Sequence, residues 1–346
     1  MISIVYLGDN PRLRQALTAV PAQTLDPAAD LRGRRLVFAV AVDDGGPAPE
    51  YYAFLRRLRT EPECLKDAVA VMVVDGTSEL YTKSAANALA LAASMAGCTL
   101  PGRALVEATG SLYNQHIQAR NRGLSLEETY YVRIRELCSD LETFVLPKRQ
   151  KPKVLLIHAS EQRNSNTLAL GRQVAQRLAD VCQVREIGLL NGTVQDCRGC
   201  GYRQCLHFSQ NNTCFYGGAL SDEVMPAIAD SDVLLFLCPN YNDALGANLT
   251  ALINRMSGLV LQQSLQEKLL AAVVVSGYSG GDLVAQQLLG AMCLNRGVIV
   301  PPHFCLLQTA HDPGDAMAAA GIGERLDRFA ACLRKNLGVE EIREKN

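Results

Sequence analysis

Continuous apolar runs of five to eight residues, each followed by a stretch with helical spacing, punctuate this chain from end to end. The runs begin at Ile2, Leu36, Ala68, Val154, Leu234 and Ala271, and they do not alternate polar with apolar positions. Unbroken apolarity of that length is what parallel strands buried on both faces require. A strand–helix alternation with right-handed crossovers leads to a doubly wound α/β sheet, whose ligands sit beyond the carboxyl ends of the strands.

The pattern occurs twice. Ile2-Ser-Ile-Val-Tyr-Leu-Gly parallels Val154-Leu-Leu-Ile-His, and Leu36–Asp44 parallels Leu234–Tyr241. Ala68–Gly76 parallels Ala271–Gly277, each leading into an alanine-rich helix, and Cys98–Val106 parallels Ile299–Leu307. The expectation is two tandem domains with parallel sheets of order 2-1-3-4-5, over residues 1–147 and 152–340. The charged segment Leu146–Lys153, with two prolines, is the joint between them. The second copy carries extra chain between its first and third strands, including a cysteine-rich insertion at 196–215.

The copies differ where chemistry would sit. In the second, Val154–His158 runs into Ser160, Arg163, Ser165, Asn166 and Thr167, and then directly into a helix. Free N–H groups and the positive dipole end of that helix, ringed by side-chain donors, make a seat for a phosphate. The loop has neither dinucleotide glycine spacing nor Gly-Lys-Ser/Thr, so a terminal monophosphate fits better than a pyrophosphate, and FMN is a ligand of that kind. After the third strand come Pro239, Asn240, Tyr241 and Asn242; after the fourth come Gly277, Tyr278, Ser279, Gly280 and Gly281. The tyrosines offer flat faces to an isoalloxazine, the backbone of Asn240 and Asn242 can bond its pyrimidine edge, and the glycines allow close main-chain approach. In the first copy the phosphate loop is shortened to Gly8–Arg14 and bears Asp9, with Asp43 and Asp44 in the next loop. Those like charges repel a phosphate, so this half reads as a copy without flavin.

Composition narrows the field. With 346 residues, 48% hydrophobic and 20% charged, the chain has enough material for two full cores. A net charge near −1 offers no basic field for nucleic acid or an anionic membrane. The start of the chain lacks a signal pattern and no apolar run reaches a membrane span, which leads to the expectation of a cytoplasmic protein. Of twelve cysteines, eight lie singly in apolar segments and read as small buried hydrophobes. Cys197, Cys200, Cys205 and Cys214 are clustered. Three occupants stay open for them: a [4Fe–4S] cluster, a structural zinc, or free thiols with no metal.

Residues 153–258 resemble the NAD(P)H-dependent FMN reductases and related iron–sulfur flavoproteins of the flavodoxin-like fold. The resemblance rests on Ser160–Thr167, Cys197-Arg-Gly-Cys200, Ser221-Asp-Glu223, Leu234–Tyr241 and Ala251–Arg255. It implies that Ser160, Arg163, Ser165, Asn166 and Thr167 take the flavin phosphate, while Pro239–Asn242 and Gly277–Gly281 line the flavin. It also implies hydride transfer from NAD(P)H to bound FMN and onward to a quinone, flavin or other small acceptor, with no side chain acting as acid, base or nucleophile. A homodimer is plausible for such a fold. The alternative is a non-enzymatic flavodoxin-type or iron–sulfur electron carrier that serves a redox protein partner.

Overall fold

The computed structural model describes residues 1–160, 164–210 and 214–339, which form two compact units, Met1–Val145 and Leu146–Asn346. Arg163, expected at the phosphate loop, lies outside the described residues.

The first unit has strands β1 (Ile2–Leu7), β2 (Ala22–Leu25), β3 (Arg35–Asp43), β4 (Gly46–Pro47), β5 (Val69–Gly76) and β6 (Leu105–Ala108). Its main sheet is parallel in the order β2-β1-β3-β5-β6, and β4 only hooks back antiparallel onto β3. Helices α1 (Pro11–Thr18), α2 (Pro49–Thr60), α3 (Thr82–Met95), α4 (His116–Arg122) and α5 (Leu126–Thr143) complete it. Helix α1 starts where it does because the Asn10 side chain accepts from the N–H groups of Arg12 and Leu13, with Pro11 at the first helical position.

The second unit has strands β7 (Lys153–His158), β8 (Gln183–Gly188), β9 (Val233–Pro239), β10 (Leu269–Ser276) and β11 (Cys305–Thr309), all parallel in the order β8-β7-β9-β10-β11. Its helices are α6 (Asn166–Leu178), α7 (Tyr202–Ser209), α8 (Met225–Asp230), α9 (Ala247–Arg255), α10 (Ser257–Gln262), α11 (Gly281–Leu289), α12 (Asp315–Ala318) and α13 (Ile322–Leu337). Strands β9 and β10 are buried along their whole length, as their unbroken apolar runs require. At the start of the second unit the Arg149 side chain donates to Asp232 at 2.8 Å, and its backbone N–H to the Leu337 carbonyl. Among the described residues no helix is long and apolar enough to cross a membrane.

Both units thus carry the doubly wound sheet order expected from sequence. The last strand differs from the expectation in the same way in both. Thr99 makes one isolated bridge to Val69, and Ile299 one to Leu269, before the ladder resumes at β6 and β11. The interruption falls at Pro101 and at Pro301-Pro302, which have no N–H to donate. The shared bridge also fixes the correspondence of the copies: Asp75 is the counterpart of Val275, and Gly76 of Ser276. The sequence match placed Gly76 against Gly277, one residue out, because an unbroken apolar run has no two-residue period to set the register.

That counterpart position separates the units physically. Asp75 is fully buried and takes the Arg12 guanidinium at 2.8 Å. Arg12 also donates to the carbonyls of Gly76, Thr109 and Gly110, so one side chain closes the carboxyl edge of the first sheet. Asp9, expected to repel a phosphate, instead faces Arg14 at 2.7 Å. The group that fills this crevice is Arg12. Replacing Arg12 with Met strands a buried carboxylate and should cost the first unit about 3–5 kcal/mol in urea unfolding. The double change Arg12→Met with Asp75→Val should recover most of that loss; no recovery would show that the pair does more than neutralise itself.

Candidate functional site: a crevice at the carboxyl edge of the second sheet

In the second unit the same edge is open. The segments after β7, β9, β10 and β11 converge on a crevice of about 680 Å³. It is lined by Ser165, Asn166 and Thr167 from the first segment, and by Pro239, Asn240, Tyr241 and Asn242 from the second. Gly277, Tyr278 and Ser279 come from the third. Ser160, Gly280 and Gly281 stand behind this lining: the Ser160 hydroxyl lies 3.2 Å from that of Ser165, and Gly280 and Gly281 open helix α11.

Helix α6 begins at the crevice, and Ser165 caps it by accepting from the Leu168 N–H. The N–H groups of the first turn that Ser165 does not engage remain as anion donors. Asn166 uses its side chain differently from the sequence expectation. Its carboxamide donates to the Asp312 carbonyl and accepts from the N–H groups of Gly314 and Ala316, so it clips the segment after β11. Its backbone N–H, not its side chain, is what it has to offer an anion.

Asn240 sits at the centre. Its backbone N–H goes to Val275 of the sheet, so it has no free backbone donor for a ligand. Its Nδ2 faces Asp243 Oδ1 at 3.2 Å, Ser276 Oγ at 3.2 Å and the Ser279 carbonyl at 2.9 Å. Those acceptors fix the orientation of the amide and leave Oδ1 buried with no partner. Gly280 lets the two loops meet. It has φ +83°, and a Cβ there would stand 1.9 Å from Asp243 Oδ1. Tyr241 and Tyr278 are 65% and 78% exposed, so both side chains are free to lie against a flat ligand. Sequence reasoning missed the fourth segment, in which Ala310, His311 and Pro313 reach the crevice. His311 lies against Tyr278, ring centroids 5.0 Å apart. The signal was available, since this segment also follows a parallel strand, but the broken strand hid where that strand ended.

His158, the last residue of β7, is buried. The Ser160 N–H donates to its Nδ1 at 3.1 Å, which puts the ring proton of the neutral form on Nε2, 3.4 Å from Glu186. Burial holds its pKa below the usual histidine value; Glu186 pulls the other way and Arg172 adds to the lowering.

Cys197, Cys200, Cys205 and Cys214 line a separate cavity of about 530 Å³ around helix α7. Burial first, and then the neighbouring thiols of Cys197, Cys214 and Cys200, push the Cys205 thiol up. Among the described residues, no three His, Cys, Asp or Glu side chains close into a group able to hold a metal ion. As placed, the four thiols do not fit a cluster or a zinc ion. Of the remaining cysteines, Cys98, Cys138, Cys182, Cys238, Cys293 and Cys305 are buried, and Cys64 and Cys332 are half-buried. Burial pushes the thiols of Cys98 and Cys238 well up, which makes them inert packing groups.

Residues 152–312 match the family model described as NADPH-dependent FMN reductase, so the C-terminal half of the chain is similar to that family. Solved structures similar to this chain include an NADH:FMN oxidoreductase in its apo form, 16% identical over 55% of this chain and 92% of that one, TM-score 0.38. An NAD(P)H:quinone oxidoreductase from Methanothermobacter marburgensis is 16% identical over 53% and 98%, TM-score 0.42. A flavodoxin from the domain Archaea is 13% identical over 54% and 99%, TM-score 0.36. No curated protein matches the chain.

The geometry at His158 predicts a pH effect. Because its folded pKa is lowered, its neutral form is favoured by folding, and that stability is lost as pH falls through about 6.5, levelling off below the folded value. His158→Gln should be less stable than the parent at pH 7.5, with the gap in urea midpoint narrowing toward pH 5.5. A gap independent of pH would contradict a neutral buried ring.

Proposed function

We propose that the second unit binds FMN in this crevice and that the protein is a flavin-dependent oxidoreductase. It would take electrons from NAD(P)H and pass them to a quinone, a flavin or another small acceptor. The observation that carries this reading is the convergence of a helix start, the loops after three further strands and two exposed aromatic side chains on one crevice. The family match over residues 152–312 supports it independently.

When bound, FMN supplies an acceptor for hydride and a donor of one or two electrons. The chain supplies binding and orientation. The first turn of α6, with Ser160, Ser165 and Thr167, holds the phosphate; Arg163 is assigned to the same role from its place in the loop. Asn240 holds the two loops at their spacing, and Asn242 presents its backbone to the pyrimidine edge. Pro239 and Gly277–Gly281 form the floor. Tyr241 and Tyr278 cover the faces of the ring system and exclude water from them. No general acid, base or nucleophile is assigned among the chain's residues, since hydride would pass directly between the two bound partners.

The test is NAD(P)H oxidation by the full chain reconstituted with FMN, with a soluble quinone as acceptor. Sustained turnover supports the enzyme, whereas tight FMN binding without turnover supports an electron carrier acting on a protein partner. Asn240→Leu removes the tie between the two loops that line the crevice and should weaken FMN by about tenfold or more, since two ordinary hydrogen bonds that hold the lining are lost. Unchanged FMN affinity in that variant would place the ring elsewhere.

A further inference from the structure

The four clustered thiols belong to one excursion of the chain, and a single side chain holds both of its ends. Arg255, the last residue of α9, is buried and donates to the Gln195 carbonyl at 3.4 Å and to the Gly217 carbonyl at 2.9 Å. Beside it, Asp196 Oδ1 accepts from the Asn254 side chain and from the Cys197 N–H. The base of the excursion is thus fixed to the end of α9, and all four cysteines come to the walls of one cavity. Among the described residues no three such groups close on a metal ion, which leaves sulfur chemistry between pairs.

The four are not equivalent. Cys197 and Cys200 are exposed, whereas Cys205 and Cys214 are half-buried. Gly199 has φ +67°, and its N–H donates to Cys197 Sγ at 3.5 Å. The chain therefore folds back over the first sulfur just before the second cysteine, which is one peptide unit, about 3.8 Å, further on. The segment from 197 to 200 is in neither helix nor strand, so its two cysteine Cα atoms can come within the limit of about 7 Å for a disulfide. Arg198 stands between them, exposed, with its guanidinium 4.7 Å from the centroid of the Tyr216 ring on the same cavity wall. That contact holds a positive charge beside the pair.

We infer that Cys197 and Cys200 form a dithiol exchange site for small disulfides that carry carboxylates, which Arg198 attracts. One cysteine thiolate attacks a sulfur of the small disulfide and expels one small thiol, leaving a mixed disulfide. The second thiolate attacks the protein sulfur of that bond, expels the other small thiol and closes the Cys197–Cys200 bond. Two protein thiols become one disulfide, the small disulfide becomes two thiols, and the two protons given up by the cysteines end on the departing thiolates. An excess of the small thiol runs both steps backward. The inference does not rest on FMN binding.

The test is to incubate the full chain, purified without oxygen, with glutathione disulfide, block remaining thiols with N-ethylmaleimide and map the peptides by mass. The expected result is one Cys197–Cys200 disulfide per chain, with Cys205 and Cys214 alkylated, and full return to thiols in excess glutathione. Cys200→Ser should instead keep one glutathione on Cys197, and Cys197→Ser one on Cys200, because the step that expels it is gone. Arg198→Gln should slow the reaction with glutathione disulfide by about threefold at low salt and leave that with the uncharged disulfide of mercaptoethanol unchanged. Equal rates for Arg198→Gln and the parent with glutathione disulfide would overturn the assignment to carboxylates. Glutathione retained on the parent chain, a disulfide that engages Cys205 or Cys214 instead, or stoichiometric iron or zinc on the four thiols would each overturn the site itself.

Discussion

The open crevice of the second unit depends on a carboxamide that has more acceptors around it than hydrogens to give. Asn240 Nδ2 faces Asp243, Ser276 and Ser279 at once, and so holds the loops after β9 and β10 at one spacing. The close approach is possible only because Gly280 has no Cβ. What the carboxamide cannot do in that position is satisfy its own oxygen. Its burial keeps that oxygen out of the open crevice, so what the side chain supplies is the fixed spacing of the two loops.

The two copies show how little separates an open ligand crevice from a closed one. Their sheets share order, and even share the interrupted last strand. At the matched position one has Val275, which lines a crevice, and the other Asp75, which draws in Arg12 and three backbone carbonyls with it. A carboxylate buried among apolar strands has to be neutralised, and the arginine that does so occupies the volume a ligand would use. Charge burial at Asp75 and Arg12, rather than the acidic loop residues Asp9, Asp43 and Asp44, is what closes this edge of the first unit.

Much of this was legible in the sequence because it follows from periodicity. Apolar runs gave strands, their lack of alternation gave a parallel sheet, and the sheet order then brought Thr167, Tyr241 and Tyr278 to one edge before any coordinates existed. What could not be read depends on side chains choosing among partners at long range. Nothing local distinguishes Asn166 as a clip for residues 312–316 from Asn166 as a phosphate ligand. Arg12 and Asp75 are 63 residues apart in the chain, and neither stands in a recognisable motif. Arg255 looks like an ordinary surface cation until folding removes it from water. The cysteine spacing left a cluster, a zinc ion and free thiols all open to reading, because thiols within one loop converge only if the backbone turns them inward, and here they line a wider cavity.

The central claim is that a phosphate group sits on the first turn of α6. Comparing the affinity of the full chain for FMN and for riboflavin measures that directly, because the two differ only in the phosphate. A dianion held by a helix start and several charge-assisted bonds should make FMN bind at least about 100-fold more tightly, with one FMN per chain. Equal affinity for the two, or two FMN per chain, would contradict it.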